Sequence, residues 1–108
     1  MRSRFDQQLD QLNLELITMG AMCEEAIGLA AGALVRSEAV QRRPIDQLEQ
    51  RIDDMTAQFR RGQLERMRRG TCSEEACILY AELLTDFERI GDHVLNIAQE
   101  LTKVQTHL

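Results

Sequence analysis

The sequence predicts an all-α fold, an antiparallel three-helix bundle, and three observations carry the prediction. Apolar residues recur at alternating steps of three and four along most of the chain, the spacing of one face of an α-helix. No segment shows the period-two alternation of a strand, and hairpin-type turn dipeptides are missing. The pattern breaks twice, between Ser37 and Pro44 and at Gly70, leaving three long runs joined by short connections. At 108 residues the chain is read as one domain, able to bury roughly two thirds of the surface its unfolded form would expose.

The first helix is expected over about residues 3–37. Phe5, Leu9, Leu12, Leu16, Met19, Cys23, Ala26, Ala30 and Ala33 form its stripe, and Ser3 with Asp6 can box its N-terminus. The second runs over about 44–69: Pro44 suits a first helical turn, Ile45, Leu48, Ile52, Met55 and Phe59 follow at helical steps, and Gly70 ends it. The third spans about 73–105, with Ser73 as N-cap and Glu74 and Glu75 in the first turn. Leu79, Leu83, Ile90, Val94, Ile97, Leu101 and Val104 are expected to face the core. A second apolar strip then falls outside it, at Leu84, Gly91 and Leu95 beside Cys77 and Ala81, and the first helix has its own at Ile27 and Leu34. Scattered apolar surface residues are ordinary, but two helices sharing the feature predict a packing partner through Ile27, Leu34, Leu84, Gly91 and Leu95.

A net charge of -5 disfavours nucleic acid, which needs a basic footprint. The longest uninterrupted apolar stretch, Ala26 to Val35, has ten residues where a membrane span needs about 20. The charged start lacks a signal-peptide core. Three cysteines without CxxC spacing indicate neither a disulfide framework nor a zinc ribbon. These observations predict a cytoplasmic protein with reduced thiols, in which Cys23 and Cys77 are small packing residues.

Four carboxylate pairs stand at i,i+4: Asp6/Asp10, Glu49/Asp53, Glu82/Asp86 and Glu88/Asp92. Each costs its helix about 0.2–0.5 kcal/mol by repulsion. A solvated face is the ordinary reading of one pair. Pairs brought together by facing helices can instead complete an oxygen site for a cation. Di-iron carboxylate chemistry wants His three residues after Glu, and His93 is five after Glu88. No Ser or Cys has a base and orienting group in the pattern, so the chain is read as no enzyme. Arg60, Arg61, Arg66, Arg68 and Arg69 crowd the end of the second helix. They either complement its dipole or contact an anionic partner.

The run Asp86-Phe-Glu-Arg-Ile-Gly-Asp-His-Val-Leu-Asn-Ile-Ala resembles the third-helix signature of the PhoU family of phosphate-uptake regulators. Met19-Gly20 with Glu24, Ala26 and Ile27 is similar to the family's first helix. Ile45-Asp46-Gln-Leu-Glu49-Gln-Arg-Ile52-Asp53 is similar to its second. The stretch from Gly70 through His93 looks most like the PhoU-like cytoplasmic domain of bacterial Na/Pi cotransporter-family proteins. The resemblance implies iron or zinc held by E(D)xxxD motifs, here Glu49 and Asp53 with Glu88 and Asp92, and Asp46 and Asn96 as neighbours. It also implies a regulatory domain of phosphate transport or phosphate signalling. Such a domain acts by contact with a transporter membrane domain or a sensor kinase, at the cytoplasmic face of the inner membrane. Typical members hold two such units, so a homo-oligomer, or fusion to a transporter, would supply the rest. The rival expectation is a purely structural dimerisation module without metal.

Overall fold

A computed structural model of the chain describes residues 4–107, and side chains at residue 7 and residues 9–107. Three helices make up the fold: α1, Arg4–Val35; α2, Arg42–Arg68; and α3, Glu74–His107. No strand occurs among the described residues. The expected box at Ser3 and Asp6, and the Phe5 side chain, lie outside what is described. Contacts between helices fix their directions. Glu15 meets Tyr80, Cys23 meets Phe87 and Glu38 meets Gln105, so α1 and α3 run the same way. Arg66 meets Glu15, and Arg60 meets Thr85, so α2 runs against both. The result is an up-down-up rod of 59 × 25 × 19 Å.

Each connection is closed by backbone hydrogen bonds that the sequence makes possible. After α2, Gly70 takes φ +66°, its N–H donates to the Met67 carbonyl, and the Thr71 N–H donates to the Arg66 carbonyl, a Schellman closure. After α1 the same pair of bonds forms, from Ser37 N–H to Leu34 and from Glu38 N–H to Ala33, but the left-handed residue is Ser37 at φ 55°. Its Cβ makes that conformation costly. Pro44 sits in the first turn of α2, where an N–H would have no helical partner. Ser73 caps α3, its Oγ accepting from the Ala76 N–H at 3.2 Å. Gln105 ties the other end, accepting from the Val40 N–H and donating to the Glu38 carbonyl, each at 3.0 Å.

The buried stripes of α1 and α2 follow the periodicity, except that Leu9 is exposed. Leu12, Met19, Cys23, Ala26, Ala30 and Ala33 are buried from α1, joined by Met22, and Ile45, Leu48, Ile52 and Phe59 from α2. In α3 the register is corrected. The buried residues are Cys77, Tyr80, Leu84, Gly91, Val94 and Ala98, while Leu79, Leu83, Ile97 and Val104 are 42–55% exposed. Val94 is buried as expected and Ile90 packs partly buried against the core; elsewhere the two rows keep heptad spacing one residue apart, and choosing by side-chain size selects the wrong one. The small residues win because the helices approach closely: a Cβ on Gly91 would stand 3.3 Å from Ile52 Cδ1. Leu84 and Gly91 are therefore core residues and Leu95 packs partly buried against the core, so none of the three forms an outer surface. Ile27 and Leu34 do lie outside, at 45% and 62% exposure. The outward apolar residues of α3 are Ile78, Leu79, Leu83, Ile97 and Val104 instead.

A polar tie crosses all three helices near the Gly70 end. The Tyr80 hydroxyl donates to Glu15 Oε2 at 2.6 Å, and Arg66 Nη2 stands 3.5 Å from the same oxygen. Arg66 Nε donates to Gln63 Oε1 at 2.9 Å, and its guanidinium lies 5.3 Å from the Tyr80 ring centre. Burial and the Glu15 carboxylate push the Tyr80 phenol well above its usual range, so it stays a donor. The ion pair is nearly enclosed, and removing one partner would strand the other charge.

By length and composition alone, Leu9–Val35 could cross a membrane, a longer candidate than the ten-residue stretch suggests. One face of that same helix is the core of this bundle.

Two outcomes follow. Ser37→Gly should raise stability by about 0.5–1 kcal/mol, because glycine accepts the left-handed conformation freely and loses only part of that gain to its looser unfolded chain. A melting temperature that stays put or falls would refute strain at Ser37. Arg66→Gln should cost about 2 kcal/mol or more, whereas Arg68→Gln and Arg69→Gln should each change stability by less than about 0.5 kcal/mol. Urea midpoints of the three variants decide it, and equal losses would contradict the buried tie.

Candidate metal centre

Midway along the bundle, Glu49 and Asp53 stand one turn apart on α2 and Asp92 faces them from α3. One carboxylate oxygen from each lies within 4.8 Å of the other two. The Gly91–Ile52 contact makes this possible, because the missing side chain lets α3 approach α2 at the residue before Asp92. Glu49 and Asp53 are half-buried and Asp92 is exposed, so the cluster lies in a shallow seam open to solvent on the α3 side.

The electrostatics register the crowding. Burial first, then hydrogen bonding and repulsion from Asp53 and Asp92, push Glu49 up to about 7. Near neutral pH it is about half protonated and can donate to a neighbouring carboxylate. A divalent or trivalent cation would do better, replacing that one shared proton with a larger charge bound by several oxygens. The donor set is all oxygen, fitting hard and borderline ions.

Of the expected ligands, the structure gathers Glu49, Asp53 and Asp92. Glu88, one turn before Asp92, is half-buried and is not among the three. Asp46 pairs with Arg42, Nη2 to Oδ1 at 3.3 Å. Asn96 is exposed one turn beyond Asp92. Glu82 and Asp86 line a groove of about 280 Å³ together with Arg60 and Arg89.

The arginines do not act as one patch. Arg66 turns inward to Glu15, which corrects its expected place on a contact surface. Arg60 Nη2 donates to Thr85 Oγ1 at 2.7 Å, Arg68 and Arg69 pair with Glu65, and Arg61 is exposed. Glu15, Tyr80 and Gln63 escaped the sequence reading. The signal for Tyr80 was there: it stands at heptad spacing from Leu84, Gly91, Val94 and Ala98.

Because Glu49 is raised in the folded state, its neutral form favours folding. The contribution is fully present below pH 4.5 and is lost as pH rises through about 7. In chelator, the unmodified protein should therefore lose melting temperature relative to Glu49→Gln between pH 4.5 and 7.5. Parallel pH profiles of the two proteins would show that the carboxylates do not crowd.

The PhoU domain family model matches residues 16–101, which take in all of α2 and the whole carboxylate cluster. The chain is 38% identical over 55 residues to the phosphate-specific transport system accessory protein PhoU homolog 1 of Thermotoga maritima, covering 51% of this chain and 24% of that protein. It is 28% identical over 107 residues to the phosphate-specific transport system accessory protein PhoU homolog of Clostridium acetobutylicum, covering 95% of this chain and 49% of that protein. The chain thus spans half or less of the length of these curated relatives. No solved structure gives a significant match. With the family model extending over most of all three helices, the chain belongs to the PhoU domain family.

Proposed function

We propose that this chain is a non-enzymatic, metal-binding regulatory module of phosphate transport, with iron or zinc held by Glu49, Asp53 and Asp92. The observation that carries the reading is the convergence of three carboxylate oxygens from two helices within 4.8 Å, where burial, and then the neighbouring carboxylates, raise Glu49. The ion would supply charge neutralisation and tie α2 to α3. Glu88, with Asp46 and Asn96, would stand in its surroundings rather than complete the first set of ligands. Regulation then works through contact: the module docks on a transporter membrane domain or a sensor kinase at the cytoplasmic face of the membrane. The relatives' description as accessory proteins of phosphate-specific transport supports that setting. A transporter fused to the module, as in the Na/Pi cotransporter family, is the form of partner its third helix most resembles.

The outward apolar residues favour a second reading, in which the chain is a dimerisation module and the carboxylates are merely solvated. Ile27 and Leu34 on α1, with Leu79, Leu83 and Ile97 on α3, need cover in either case.

Metal content separates the two. Protein expressed with iron and zinc supplied, and purified without chelator, should carry metal by elemental analysis. Asp53→Asn with Asp92→Asn should remove it while leaving the metal-free melt unchanged or higher, since repulsion goes with the charges. Glu88→Gln should retain metal. No metal in the unmodified protein under those conditions would defeat the metal reading and leave the structural module.

A further inference from the structure

The start of α3 holds two of the three thiols together. Cys72 precedes the Ser73 cap and Cys77 closes the first turn, the two positions whose side chains pack against one another across a helix N-terminus. Here a thiol occupies each of those two positions. Gln63, buried on α2, donates its amide to the Cys72 sulfur at 3.6 Å. Cys77 is buried and Cys72 is half-buried, so only one of the pair meets solvent readily. Burial first, and then Cys72, push the Cys77 thiol up to about 11, which keeps it protonated beside its neighbour. Cys23 is buried elsewhere and donates to the Phe87 carbonyl at 3.4 Å. Any pair of apolar side chains could pack across this turn; two thiols add a chemistry that apolar residues lack.

We propose that Cys72 and Cys77 form a reversible redox pair, oxidised by a peroxide to an intramolecular disulfide across the first turn of α3. The Cys72 sulfur attacks one peroxide oxygen and the O–O bond breaks, giving a sulfenic acid at Cys72 and one water. The Cys77 sulfur then displaces the sulfenic hydroxyl, forming the S–S bond, and its proton leaves with the hydroxyl as a second water. Two electrons and two protons leave the dithiol, and the peroxide is reduced to two waters. A dithiol reductant reverses the reaction by exchange. The consequence is local and outward-facing. Gln63 and Cys77 line a groove of about 410 Å³ with Leu64, Met67, Ile78 and Ala81, so oxidation reshapes one wall of an exposed apolar surface.

The test uses the full chain, reduced and then exposed to stoichiometric hydrogen peroxide with chelator present. Thiols counted in denaturant should fall from three to one, peptide mapping should find Cys72 joined to Cys77, and dithiothreitol should restore all three. Cys23→Ser should still form the bond, and Cys72→Ser should keep its two remaining thiols. Circular dichroism of each variant shows whether it is folded, and the unmodified chain alone decides the main point. A titre that stays at three, thiol loss through intermolecular Cys23 linkage, or equal thiol loss in Cys72→Ser would overturn the proposal.

Discussion

The close approach of α2 and α3 at Ile52 and Gly91 governs most of what is distinctive in this bundle. Interhelical distance is set by the side chains at the contact, and glycine on one side with a branched residue on the other brings the axes together. Apolar packing supplies the attraction. The adjoining residues on the same seam, Glu49, Asp53 and Asp92, are carried into mutual range as a result, so hydrophobic burial holds like charges where they would not collect by themselves. Burial first, and then Asp53 and Asp92, raise Glu49 there.

The Gly70 end of the bundle resolves its polar burial in the opposite way. Glu15, Arg66, Tyr80 and Gln63 converge across three helices, so the Glu15 carboxylate meets an opposite charge and a hydroxyl donor. A network of this kind adds little net stability against an apolar alternative, but it penalises any sliding of one helix past another. It therefore fixes the register on which the carboxylate cluster depends further along the rod. At one end opposite charges meet, and in the middle like charges do.

This contrast explains what the sequence disclosed. Helix number, order and ends were legible because they rest on local chemistry: Gly70 and Ser73 have side chains, or lack them, in ways that act within a few residues. The α3 register was not legible, because Leu79 and Tyr80, Leu83 and Leu84, and Ile97 and Ala98 stand side by side and both rows keep heptad spacing. Only the partner helices choose between them, and they choose the row with Gly91 and Ala98. The acid pairs were visible by spacing, yet nothing in the spacing tells Glu88 from Asp92. Arg66 looked like any other cation at a helix C-terminus until Glu15, fifty-one residues away, was folded against it.

The apolar outer residues can be weighed by the same reasoning. The stretch Leu9–Val35 has the length and composition of a membrane span, but crossing a bilayer would separate Glu15 from Arg66 and expose the Met19, Ala26 and Ala30 face to lipid. It would also dehydrate Glu24 and Glu25, which are exposed beside Ile27, at about 2.5–3.5 kcal/mol for each charge near the centre. A protein partner asks for neither sacrifice. It can cover Ile27 and Leu34 while leaving those carboxylates at a wet rim, the usual arrangement of interfaces between soluble surfaces. Cover by another folded surface would leave the core, the tie and the carboxylate seam as they stand, and insertion of α1 into a bilayer would break all three.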